Sequence, residues 1–290
     1  MYSQALQQLN LPVVKPGYRP QALDTSLETD VYEFALLRQR TNSDRLQMSA
    51  ALTRGARQLC ICGLRQTHPS LSEIAVAQAI SQAFLDDDYS HEFIPTGSEM
   101  TWIQDSISLA IQLQAILADL EIPYYITGGV AAATYGEPRT TRDLDIVIAL
   151  SLSQLDTMVQ RLEHEGFYVP GVEEIRSGQL RTLGITHQET IARADLMLAG
   201  ISDFDHAQFN RRRAIEISGR GTLYLASPED IILSKLRWGG QSQSEKQWRD
   251  VLGILKVQGQ TLDFQYLDQQ AETLELTNML VQAMTEAGLS

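Results

Sequence analysis

Two aspartates separated by a single leucine, Asp143 and Asp145, open the apolar run "DLDIVIAL". In an extended strand, residues two apart project to the same face, about 6.6 Å apart along the chain. Leu144 and Ile146 then face a core, and two like charges share the opposite side. Neighbouring carboxylates repel, and one is driven neutral unless a cation lies between them. A hard divalent ion with oxygen ligands meets that requirement. Asp195, in "ARADLML", also stands where a polar segment turns apolar. If its strand lies beside the first, three carboxylates converge. Such a trio holds two metal ions about 3.5–4 Å apart for in-line phosphoryl displacement.

Upstream, "YYITGGVAAATYG" reads as a short strand, a break at Gly128-Gly129 and a helix of small residues. Bare amides between a strand and a helix can approach a phosphate chain, and the helix N-terminus favours negative charge. Alone the glycine pair is weak; tied to an Asp-x-Asp strand after a helix-length gap, it is specific. The bland alternative pairs Asp143 with Arg139 or Arg142 and makes Asp145 a turn cap.

These residues resemble the DNA polymerase β-type nucleotidyltransferase superfamily. Its pattern is a glycine pair or Gly-Ser, a gap near a dozen residues, Asp-hydrophobic-Asp, and a third Asp on another strand. The matching features are Gly128-Gly129, a gap of 13 residues, Asp143-Leu144-Asp145, and Asp195. The local form is similar to minimal bacterial nucleotidyltransferases related to the AbiEii toxins, which also carry segments like "SPEDIILSKL" (Ser227–Leu236) and "RDV" (Arg249–Val251). The resemblance covers roughly residues 100 to 265. It implies that Asp143, Asp145 and Asp195 ligate Mg²⁺ (or Mn²⁺), with Asp195 helping to deprotonate an acceptor hydroxyl. It further implies that Gly128 and Gly129 hold the phosphates of an NTP and that Lys235 contacts the nucleotide, oriented by Asp250. Arg139, Thr141 and Arg142 approach the aspartate pair from the preceding turn and complete the nucleotide-binding set. Gly129 replaces the serine common in the superfamily, which removes one hydroxyl contact to phosphate.

Positioning such a site requires an α/β fold with a small mixed sheet and a helical tail. Residues 1–26 contain three prolines and little periodicity and read as a flexible arm. Residues 27–95 read as an all-helical module of three helices, with Ser43 as an N-cap and Ser70-x-x-Glu73 as a capping box. The Asp86–Asp88 run reads as a solvated helix end. Residues 96–290 form the nucleotidyltransferase domain. It contains one long amphipathic helix through "MTWIQDSISLAIQLQAILADLEIP", strands in "YYIT", "LDIVIAL", "QLRTLGIT", "TIARADLMLA" and "RAIEISGRGTLYLA", and terminal helices starting at Ser227-Pro228.

The 43% hydrophobic content suits a packed core, and no apolar run approaches the roughly 18 residues of a membrane span. No export signal is expected, so a cytoplasmic protein without a membrane partner is. Cys60 and Cys62 read as small buried hydrophobes. The five histidines are scattered and none is assigned to catalysis. "RRR" at 211–213 reads as a solvated turn, and Trp238 and Trp248 as core or base-stacking residues. A net charge of −13 argues against broad nucleic-acid binding. The leading function is metal-dependent transfer of a nucleoside monophosphate from an NTP to a hydroxyl on RNA, protein or a small molecule, of toxin–antitoxin type. The alternative is an inactive adaptor of the same fold that binds nucleotide or a partner protein.

Overall fold

The computed structural model describes residues 14–242 and 244–289; the first half of the expected arm, residues 1–13, lies outside them. The described chain forms two compact units. One comprises residues up to Arg45, Ala132–Glu137 and the chain from Pro228 onward; the other comprises Leu46–Ala131 and Pro138–Ser227.

The sheet belongs entirely to the second unit. Its strands are β1 (Tyr124–Ile126), β2 (Asp143–Ile148), β3 (Phe167–Tyr168), β4 (Thr182–His187), β5 (Ala192–Leu198), β6 (Arg213–Ile217) and β7 (Gly221–Leu225). Their order is β3-β4-β5-β2-β1-β7-β6. The β2–β5 and β1–β7 pairs are parallel and the others antiparallel, so this is the mixed α/β sheet expected from the sequence. Alternation fixes the faces of the central strands: Leu144, Ile146, Ile148, Ala194 and Leu196 are buried on one side. The helix α4 (Ser106–Asp119) packs against β2, β5 and β7.

The longer helices before it among the described residues are α1 (Leu27–Arg38), α2 (Asn42–Thr67) and α3 (Glu73–Leu85). Their caps differ from the expected ones. Thr41 and Asp44 exchange side-chain-to-backbone bonds at the start of α2, displacing Ser43. At α3 the cap is Ser72, whose hydroxyl accepts from the Ala75 amide, so the start lies two residues beyond Ser70. The single long helix expected from residue 100 is broken. A short helix, Glu99–Trp102, is followed by Asp105, whose carboxylate caps α4 through the amides of Ile107 and Ser108. Cys60 and Cys62 are exposed on α2, contrary to their expected burial.

Helix α5 (Gly128–Tyr135) links β1 to the turn before β2, and α6 (Leu155–His164) packs on β3. A further helix, α7 (Asp203–Arg211), was not read from the sequence. It begins at a Ser202–Asp205 capping box and absorbs Arg211. Arg213 opens β6, and the Arg212 guanidinium lies 5.3 Å over the Tyr224 ring.

The first unit holds α1 with the C-terminal helices α8 (Pro228–Ser242), α9 (Glu245–Gln258), α10 (Phe264–Thr273) and α11 (Thr277–Glu286). Helix α9 packs against α1, α8 and α11. Among the described residues, no helix is long and apolar enough to cross a membrane.

Candidate functional site

The loop from β1 into α5 closes directly on β2. The Thr127 amide donates to the Asp145 carbonyl at 2.9 Å, and Gly128 turns the chain with φ +60°. A Cβ at Gly128 would collide with the Asp145 carboxylate, so conformation and space both demand glycine. The Gly129 amide donates to Asp145 Oδ2 at 3.3 Å. One amide expected to face phosphate is thus directed at a carboxylate, the charge a helix N-terminus favours. At Gly129 itself, a Cβ would stand 3.3 Å from Arg139 Nη2 and from Thr141 Cγ2. A serine there would crowd both residues, which accounts physically for glycine at that position.

The β2–β5 register sets Asp145 beside Asp195 and Asp143 beside Arg193. Partners in a parallel ladder share a face, so the sheet brings the three aspartates to one side, with Arg193 among them. Arg193 Nη2 donates to Asp195 Oδ1 at 2.8 Å and lies 3.0 Å from Asp88 Oδ1. Burial pushes the Asp143 carboxyl up to about 6; Arg193 and Arg142 pull it back while Asp195 and Asp88 push it higher. Asp195 is raised too, first by burial, with Arg193 opposing. Asp143 Oδ1 is buried and makes no hydrogen bond.

The donor set fits a hard divalent cation: oxygen ligands only, excess negative charge and a buried carboxylate oxygen lacking a partner. The arrangement itself is not a cage. Among the described residues, no three acidic, histidine or cysteine side chains converge to hold a metal ion.

The turn carrying Arg139, Thr141 and Arg142 is held from α2. Ser49 Oγ donates to the Arg139 carbonyl at 2.5 Å, and Thr53 Oγ1 accepts from the Thr141 amide at 3.3 Å. Arg142 Nη1 pairs with Asp86 Oδ2 at 2.9 Å. Arg57, buried on α2, donates to the carbonyls of Trp102, Thr190 and Ile191 and lies 4.6 Å over the Phe84 ring. Burial lowers its guanidinium to about 10, opposed by the charges of Asp143 and Asp105. Sequence reasoning missed Ser49, Thr53 and Arg57, whose roles arise from contacts distant in the chain, and gave Asp88 and Arg193 no specific part in the site. The one local signal was the Arg-Ala-Asp alternation, which places Arg193 on the same strand face as Asp195.

Lys235 and Asp250 belong to the other unit. There they pair at 2.7 Å, both nearly buried, and Lys235 Nζ also donates to Gln247 Oε1 at 2.7 Å. Lys235 lines a cavity of about 410 Å³ together with Arg19, Trp248 and Met279.

No family model matches the chain, and no curated protein matches it. Solved structures similar to it include an antigenic nucleotidyltransferase-like protein from Paracoccidioides brasiliensis, 21% identical, matched over 63% of this chain and 93% of that one with a TM-score of 0.39. The antibiotic-resistance factor ANT(2″)-Ia is 16% identical over 61% of this chain and 94% of its own, with a TM-score of 0.42. The lincosamide antibiotic adenylyltransferase LnuA, bound to lincomycin, is 15% identical over 52% and 97%, with a TM-score of 0.38. Likeness this distant carries no assignment of activity.

Proposed function

We propose that this chain is a metal-dependent nucleotidyltransferase of the DNA polymerase β-type superfamily. It transfers a nucleoside monophosphate from an NTP to a hydroxyl acceptor. The observation that supports this best is the in-register placement of Asp145 and Asp195, with the partnerless Asp143 oxygen on the same sheet face and the Gly128-Gly129 turn closing against Asp145. Asp143, Asp145 and Asp195 would hold Mg²⁺ or Mn²⁺, which when bound neutralises the triphosphate and lowers the charge barrier to attack.

The chain's own residues supply alignment. In the transfer, the acceptor oxygen bonds to the α-phosphorus, the bond to the bridging oxygen breaks, and pyrophosphate leaves. Asp195 takes the acceptor's proton. Gly128 and Gly129 let the backbone approach the phosphates, and Arg139, Thr141 and Arg142 line that approach. Lys235, oriented by Asp250, is assigned to the nucleotide from the sequence resemblance. ATP is the first donor to try, and a toxin–antitoxin role akin to AbiEii-like relatives is the finer reading, to be tested by growth on induced expression.

The test is incubation of the protein with each α-labelled NTP, Mg²⁺ or Mn²⁺, and total RNA or lysate. Labelled acceptor is expected, and it is lost in Asp143→Ala and Asp145→Ala. Failure to bind any NTP with either metal sinks the reading. One observation favours the adaptor alternative: Arg193 already neutralises Asp195. In that case the aspartate variants still complement the gene's phenotype.

A further inference from the structure

The acidic run Asp86–Asp88 is the solvated helix end its composition suggested, exposed beyond Leu85, but it is not idle. Two of its carboxylates are engaged by arginines at the candidate site. Asp86 Oδ2 accepts from Arg142 Nη1 at 2.9 Å, and Asp88 Oδ1 lies 3.0 Å from Arg193 Nη2. Arg142 immediately precedes β2, and Arg193 is the ladder partner of Asp143, so both cations flank the carboxylates.

Arg193 occupies a prepared position. Its side chain is only 15% exposed, and its Nε is buried without a hydrogen-bond partner. On the neighbouring strand, Gly184 leaves room for the guanidinium: a Cβ there would come within 2.7 Å of Nη2. A guanidinium fork recognises carboxylate and phosphate oxygens through the same geometry. The two acidic partners are much more exposed, at 63% for Asp86 and 42% for Asp88, so they are the replaceable members of the pairs.

We propose that Arg142 and Arg193 form the seat of a polyphosphate chain, and that Asp86 and Asp88 fill it with carboxylates until that chain arrives. Ligand binding is then an exchange of ion pairs in which no covalent bond changes. Phosphate oxygens displace Asp86 and Asp88, and Arg193 turns away from Asp195, freeing that carboxylate. The identity of the ligand rests on the nucleotidyl-transfer reading; the exchange itself rests on the ion pairs. The gating acids lie in the segment read from sequence as part of the N-terminal helical module, which gives that module a direct part in the site.

The experiment is calorimetric titration of the full chain with inorganic tripolyphosphate and, separately, with a non-hydrolysable NTP analogue plus Mg²⁺. Wild type is compared with Asp86→Asn, the Asp86→Asn/Asp88→Asn double variant and Arg193→Gln. Removing the competing carboxylates is expected to tighten tripolyphosphate binding by about ten-fold in the double variant, and Arg193→Gln to weaken it by a similar factor. Asp86→Asn alone removes a surface pair without threatening the fold and is expected to tighten binding on its own. Unchanged or weaker binding in the acidic variants overturns the proposal. If both wild type and double variant bind tripolyphosphate as expected but neither binds the Mg²⁺–NTP analogue, the seat stands and nucleotidyl transfer falls. If the analogue binds wild type and double variant equally, transfer stands and the seat falls. A short single-stranded RNA that outcompetes tripolyphosphate in the double variant overturns the polyphosphate assignment in favour of backbone phosphates.

Discussion

Two aspartates, one in each unit, show how differently the same side chain can be used: one is fully buried, the other half-buried with one oxygen out of reach of solvent. In the first unit Asp30 is 1% exposed and pairs at 2.8 Å with Lys256, which is fully buried. Its oxygens also accept from the Gln21 amide at 2.7 Å and from the Tyr18 hydroxyl at 2.5 Å. Lys256 donates in addition to the Arg19 carbonyl at 2.6 Å and lies 4.2 Å over the Tyr18 ring. In the second unit Asp143 has an oxygen with no partner, like-charged neighbours and a carboxyl raised to about 6. A saturated carboxylate has no capacity left for a ligand; an under-satisfied one retains it. The contrast separates a structural ion pair from a carboxylate with bonding capacity left over.

Removing each acid tests that contrast most severely. Asp30→Ala leaves Lys256 buried without its counter-ion and is expected to cost about 3–5 kcal/mol in denaturant unfolding. Asp143→Asn removes a poorly paired charge and is expected to change stability by less than about 1 kcal/mol, while abolishing metal-dependent NTP binding. If Asp143→Asn proves as destabilising as Asp30→Ala, Asp143 is structural and the contrast collapses.

A smaller effect separates two glycines in the same way. Gly128→Ala meets both a positive φ and the Asp145 carboxylate, and is expected to cost about 1–3 kcal/mol together with nucleotide binding. Gly259, in the first unit, has φ +48° but open space around a new Cβ. Gly259→Ala should therefore cost the backbone strain alone, about 1–3 kcal/mol and less than Gly128→Ala, and leave nucleotide binding intact. Equal losses from thermal and chemical unfolding of the two variants would show that the approach of Gly128 to Asp145 is not tight in solution.

The parts of this molecule that were legible in the sequence are those set by short-range periodicity. Asp143-Leu144-Asp145-Ile146 announces a strand with two faces, and Gly128-Gly129 announces the turn that closes on it. The matching polar-to-apolar steps at Asp143 and Asp195 raised the pairing of β2 with β5 only as a condition, which the β2–β5 ladder meets. The missed features have two physical sources. Caps at Thr41, Ser72 and Asp105 are decided by which of several nearby oxygens reaches the free amides, a choice local composition leaves open. The involvement of Ser49, Thr53, Asp86 and Asp88 depends on chain separations of roughly 50 to 110 residues, which no periodicity encodes. The exposure of Cys60 and Cys62 belongs with these, since which faces of α2 are covered is a tertiary fact.

His187, in the second unit, is a buried but only partly served group, and it yields the mildest test. Its ring is 7% exposed; Nδ1 lies 3.1 Å from Thr190 Oγ1 and Nε2 lies 3.3 Å from Gln112 Nε2. Burial lowers its pKa below the usual 6.5, with the nearby Glu189 and Glu165 opposing. Between the lowered folded value and 6.5, the unfolded chain binds more protons than the folded one, so stability rises with pH through that window. The contribution is complete above pH 6.5 and is lost as pH falls toward the folded pKa. Replacing the ring by an uncharged amide in His187→Gln should flatten the stability profile below pH 6.5 relative to wild type, measured by urea unfolding at half-unit steps from pH 5 to 8. A wild-type profile that instead falls as pH rises through this window, with the fall removed in His187→Gln, would mean that the two glutamates outweigh burial and hold the imidazolium in place.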